Sequence, residues 1–205
     1  ICAIIALIVL FIRLSKIKAE SKYKFFSGTM LKTVSVIAIP SILQQSFVSV
    51  GNIFVQGIVN GFGDNAVAGF AAAVKLNVFA ISCVSTVCNS ISSFAAQNAG
   101  AGDIKRIKQG FKNGLFIVGI VTAPFMILFL MFPSQLIGIF MDPEAADNFE
   151  AIAIGAQFIK IVVPFYAAVA IKLSADAILR GTASMREFMI ATFADLILRV
   201  IFAYI

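Results

Sequence analysis

Five long apolar runs, divided by short polar connections, limit what this 205-residue chain can fold into. They cover about 33 to 59, 66 to 98, 114 to 140, 151 to 179 and 188 to 205, after an apolar opening of about 12 residues. All but the last exceed the ~20 residues that cross a hydrocarbon core. In lipid every backbone N–H and C=O must be paired within the protein, which leaves helices or closed barrels. Barrel strands would be ~10 residues long with strict alternation, and these runs are neither. The expected fold is all-α, a polytopic transmembrane helix bundle. Composition agrees: 60% of residues are hydrophobic and 13% charged, against about 25% charged in a soluble domain.

The ends read as interrupted helices. "ICAIIALIVLFIRLSK" is too short to span, and a signal peptide would need a basic segment before it and a cleavage site after it. "RVIFAYI" closes the chain while still apolar. The expected organisation is 1–14 as the end of a transmembrane helix, 15–32 as a basic cytoplasmic linker, and 33–205 as the bundle.

Charge sits in the connections, and its sign alternates. Arg13, Lys16, Lys18, Lys22, Lys24 and Lys32 face Glu20 alone; "NGFGDN" holds only Asp64. Lys105, Arg106, Lys108 and Lys112 stand against Asp103; "MDPEAADNFE" is acidic; Arg180 and Arg186 flank the last connection with Glu187. Basic loops remain cytoplasmic, so this alternation predicts helices threading back and forth. The net charge of +6 is therefore a lipid-surface feature, with no nucleic-acid partner expected. There is no histidine, and Cys2, Cys83 and Cys88 lie inside apolar runs, so no metal site is expected. Where "FAAQNAGAG" gives way to "DIKRIKQG", Gly100 and Gly102 are expected to turn left-handed and stop a helix at the inner surface.

Three stretches carry a likeness. "PSILQQSFVSVGNIFVQGIVNGFGDNAVAGFAAAVK", followed by "SSFAAQNAGAGDIKRIKQG", resembles the multidrug and toxic compound extrusion (MATE) family, and "ILRGTAS" resembles its "LRG" element. The resemblance implies about half of a twelve-helix, two-lobe transporter: the end of helix 6, helices 7 to 10, and most of helix 11. It implies an integral multi-pass protein of the bacterial cytoplasmic membrane, with the N-terminal lobe of the same chain as partner. It also implies secondary active efflux of small organic, often cationic compounds in exchange for Na⁺ or H⁺, with no cofactor besides that ion. Several members carry an acid eight positions after the helix-7 proline and another eleven before the "RG" arginine. Here those positions are Val48 and Val169, so neither carboxylate carries over.

Polar residues inside the runs lie on helical faces. Ser41, Gln45, Ser49, Asn52 and Gln56 share one face; Lys75, Ser82, Thr86, Asn89, Ser93 and Gln97 share another. Each face either glues helices together or lines a substrate cavity. The expected cavity set is Gln45, Ser49, Asn52, Gln56, Lys75, Ser82, Thr86 and Asn89. Lys172, Asp176 and Arg180 are successive i,i+4 neighbours, a salt-bridge ladder. Lys75 and Asp195 each lie ~13 Å deep from opposite ends, which makes a Lys75–Asp195–Arg199 cluster the sharp alternative to a local Asp195–Arg199 pair. Asp195, Lys75 and Asp176 are thus the ion-coupling candidates, and Pro40 and Pro164 the hinge candidates. Within transport, the alternative is a lipid-linked oligosaccharide flippase, which would need a more cationic cavity. The other class is an intramembrane aspartyl protease, because "GFGD" ends on Asp64; an outer turn is the simpler account of that motif.

Overall fold

The turn after the run from 66 to 98 shows how these residues stop a helix and reverse the chain. In the computed structural model, which describes residues 2–16, 26–141 and 148–204, Gly102 sits at φ 73°. The Asp103 N–H donates to the Asn98 carbonyl and the Gly102 N–H to the Ala99 carbonyl. These are the paired bonds of a Schellman stop. The Asp103 carboxylate then accepts from the Arg106 N–H at 2.9 Å, capping the next helix. Gly102 alone turns left-handed; Gly100 stays helical, correcting the two-glycine expectation.

The described residues form eight α-helices and no strand: α1 (Cys2–Lys16), α2 (Gly28–Val59), α3 (Asp64–Gly100), α4 (Ile104–Met131), α5 (Pro133–Gly138), α6 (Asn148–Val162), α7 (Tyr166–Gly181) and α8 (Met185–Tyr204). Ile1–Ser35 and Val36–Ile205 are separate compact units. In the first, α1 exposes its described apolar side chains, and Ser27 Oγ accepts the Met30 N–H at 3.4 Å. Four helical stretches are long and apolar enough to cross a membrane: Gly28–Phe62, Asp64–Gly100, Ile104–Met131 and Phe149–Gly181. The protein is a polytopic helical membrane bundle. α8 carries Arg186, Glu187, Asp195 and Arg199 and does not join that set.

Two apolar runs break where the sequence places proline. The run expected from 114 to 140 ends as α4 at Met131, and Pro133 opens the short α5. The cause is local: proline has no N–H to continue α4, and the residue before it is pushed out of the helical region. Phe132 accordingly sits at φ −128°, ψ 41°. The run expected from 151 to 179 divides into α6 and α7 at a 3-10 turn, Val163–Phe165, which contains Pro164. Pro40 lies inside α2, which continues through it.

α3 is the spine of the second unit and packs against α4, α6 and α7. Toward its start, Ala72, Ala73, Leu76 and Ala80 meet Phe129, Ile159 and Tyr166; further along, Val84, Cys88 and Ile91 meet Val118, Ala170 and Ala177. Small residues let the backbones close. A Cβ on Gly69 would strike the Ala151 carbonyl, one on Gly155 would lie 2.7 Å from the Gly69 carbonyl, and one on Gly181 would strike the Ser92 carbonyl. So both halves of the broken helix dock on α3 by backbone contact. At the acidic end, Asn65 Nδ2 donates to Glu150 at 2.7 Å. The Asp64 of "GFGD" is exposed in that turn and begins α3.

Candidate functional site

Charge inside the bundle collects on one side of α7. The i,i+4 spacing brings Lys172 Nζ to 3.3 Å from Asp176 Oδ2, and the same ammonium reaches Asp195 Oδ2 of α8 at 3.6 Å. Gln44 of α2 donates from Nε2 to that same Asp176 oxygen at 3.2 Å. Asp176 is buried, whereas Lys172 and Asp195 are about two-fifths exposed. One ammonium and one carboxamide thus tie together α2, α7 and α8.

Around this node the fit is tight. Phe47 and Phe193 meet at 5.6 Å between ring centroids. Gln44, Phe47, Val48, Thr192, Asp195 and Leu196 enclose only about 10 Å³, the lower limit for a single water. The buried Thr192 hydroxyl is spent on the Phe188 carbonyl at 2.9 Å.

The ion-coupling candidates are divided by the structure. Asp176 and Asp195 come together through Lys172. Lys75 does not join them: its ammonium lies 5.7 Å from the centre of the Phe140 ring, a cation–π contact at the other end of α3. Lys172, not Lys75, is the cation that crosses between helices to Asp195. The salt-bridge ladder is also half formed, since among the described residues Asp176 pairs with Lys172 and not with Arg180, whose buried Nε has no hydrogen-bond partner. The Arg199 side chain, and the connections around Lys22 and Glu144, lie outside the described residues.

The cavity candidates remain on open faces. Gln45, Ser49 and Asn52 are exposed, and Gln56 is half-buried and donates to Asn60. Lys75, Ser82, Thr86 and Asn89 are exposed on α3. Hydroxyls here satisfy themselves on the preceding turn: Ser49 donates to the Gln45 carbonyl and Thr86 to that of Ser82. The carboxamides of Gln45, Asn52 and Asn89 have no partner among the described residues.

Sequence reasoning missed Gln44. The polar stripe on α2 drew attention to Gln45, one position and ~100° away. The signal was present: Gln44, Phe47, Val48 and Gly51 form their own helical face, and all four are half-buried. The Tyr166–Asn77 hydrogen bond (2.9 Å), which joins α7 to α3, was missed as well.

Residues 40–205, the stretch that holds this node, match the MatE family model. The chain belongs to the MatE family. It is 25% identical over 154 residues to the "Probable multidrug resistance protein YpnP" of Bacillus subtilis (strain 168), covering 75% of this chain and 34% of the relative. It is likewise 25% identical over 127 residues to that organism's "Probable multidrug resistance protein YoeA", covering 62% of this chain and 27% of the relative. The chain therefore spans about a third of the length of the curated relatives it matches.

Proposed function

We propose that this chain is part of a secondary active exporter. It moves small organic, often cationic compounds across a bacterial cytoplasmic membrane in exchange for Na⁺ or H⁺, and Asp176 and Asp195 are its coupling carboxylates. The observation that carries this reading is the single Lys172 ammonium shared between those two carboxylates on adjoining helices. Charges within a membrane span are expensive and are kept for a task. A carboxylate that can trade its lysine for an incoming cation has two arrangements, which alternating access requires.

Two further features support it. Val48, where several family members carry an acid, lines the same small space as Asp195, so α8 offers there a carboxylate that α2 lacks. The exposed carboxamides of Gln45, Asn52 and Asn89 would be costly against lipid and suit a polar pathway wall. Those two polar faces carry one cation, Lys75, where a flippase would need several for a pyrophosphate.

Full-length protein in liposomes, with a fluorescent organic cation and an imposed Na⁺ or H⁺ gradient, tests the reading. Asp176→Asn and Asp195→Asn should each cut gradient-driven efflux about tenfold or more while dye binding persists. Undiminished coupled efflux in both variants would remove the carboxylates from the mechanism. Wild-type protein that moves no dye under either gradient would remove the exporter reading.

A further inference from the structure

A groove between α3 and α4 lies outside the charged node. It encloses about 490 Å³, within the range of small-molecule sites. Val87, Ile91 and Phe94 of α3 face Gly110, Gly114 and Ile117 of α4 across it. A Cβ on Gly110 would strike the Phe94 ring, and one on Gly114 would lie 2.7 Å from Ile91 Cδ1, so the two helices close behind the groove. The hydroxyls along it are occupied: Ser90 donates to the Thr86 carbonyl at 3.2 Å and Thr86 to that of Ser82 at 2.9 Å. The exposed Asn113 amide has no partner among the described residues.

We propose that this groove binds an anionic phospholipid, one acyl chain lying along Gly110 to Ile117 and the phosphate resting at Arg106. Arg106, Gly110, Asn113 and Ile117 are spaced 4, 3 and 4, which puts them on one face of α4. The first turns of α4 expose four cations, Lys105, Arg106, Lys108 and Lys112, against Asp103, whose carboxylate is engaged in capping. Such a cluster at a membrane surface attracts anionic headgroups. From Arg106 to Ile117 the helix rises ~16 Å, about half the ~30 Å hydrocarbon core. This face of α4 therefore runs from a charged end, one turn before the groove, to mid-membrane, the reach of a single leaflet. An organic cation would be repelled at its mouth, and a soluble anion would gain nothing from its apolar length. The inference does not depend on the transport reading.

Detergent-purified full-length protein, titrated with dioleoyl phosphatidylglycerol and separately with dioleoyl phosphatidylcholine under native mass spectrometry, tests it. Phosphatidylglycerol should bind about fivefold or more tightly, the preference one surface cation supplies. Arg106→Gln should bring the two lipids within about twofold of each other. Ile117→Trp, which fills the groove from an exposed position, should weaken both; thermal unfolding should show each variant still folded. Equal affinity for the two lipids in wild-type protein would overturn the proposal. So would a folded Ile117→Trp variant that binds both unchanged, or competition by inorganic phosphate at millimolar concentration.

Discussion

Ala183 holds a conformation that an alanine normally avoids. It sits at φ 56°, and its surroundings repeat the turn after α3: the Ser184 N–H donates to the Leu179 carbonyl and the Ala183 N–H to that of Arg180. Read locally, "RGTAS" assigns that left-handed position to Gly181. But a Cβ at 181 would strike the Ser92 carbonyl, so the glycine serves the α3–α7 crossing and the turn takes alanine instead. Left-handed geometry costs an L-residue about 1–2 kcal/mol, and glycine's extra unfolded-state freedom offsets about 0.4–1 of that. Ala183→Gly should therefore stabilise the protein by about 0.5–1 kcal/mol. Thermal unfolding in detergent would register a raised midpoint; an unchanged or lowered one would mean that the turn bears no strain.

Helices grip one another here through glycine, and that decides which glycines matter. Gly155 holds α6 against α3: an added Cβ would meet the Gly69 carbonyl at 2.7 Å and Ile137 at 3.2 Å. Backbone cannot swing aside as a side-chain tip can, so Gly155→Ala should cost about 1–3 kcal/mol despite alanine's better helix propensity. Gly119 on α4 has nothing within 4 Å, so Gly119→Ala should be neutral or stabilise by up to about 1 kcal/mol. Equal shifts in unfolding midpoint for the two would show that the crossing tolerates a methyl group. The contrast also shows what the sequence can tell. The long apolar runs, the prolines and the capping Asp103 act locally, so the helices and most of their ends were legible. Partners across helices were not. Lys75 and Asp195 looked matched in depth, yet nothing in the sequence says that α7 carries the lysine beside α8, or that Phe140 meets Lys75. Gln44 escaped notice because its partner, Asp176, is 132 positions away.

At the scale of the whole molecule, charge is sorted by end. α3, α4 and the broken α6–α7 helix alternate in direction. The Asn65–Glu150 bond marks one end of the bundle and the Gly181–Ser92 contact the other half. Asp64 and Glu150 belong to the first end. Lys105, Arg106, Lys108, Lys112, Arg180 and Arg186 belong to the second, in the first turns of α4, the last turn of α7 and the first turn of α8. Basic residues are retained on the cytoplasmic side during insertion, so the second end should face the cytoplasm. The four-cation start of α4 makes this bias strong, and Asp103 alone opposes it there. The test removes every cysteine of the full-length protein, Cys2, Cys83 and Cys88 among them, then places single cysteines as Lys108→Cys and Asp64→Cys. Both positions are exposed, so packing does not shield them. An impermeant thiol reagent added to intact cells should label position 64 and spare position 108, and breaking the cells open should expose position 108 to the same reagent. Labelling of position 108 in intact cells, with position 64 spared, would invert the molecule. The basic mouth of the α3–α4 groove would then open on the outer leaflet.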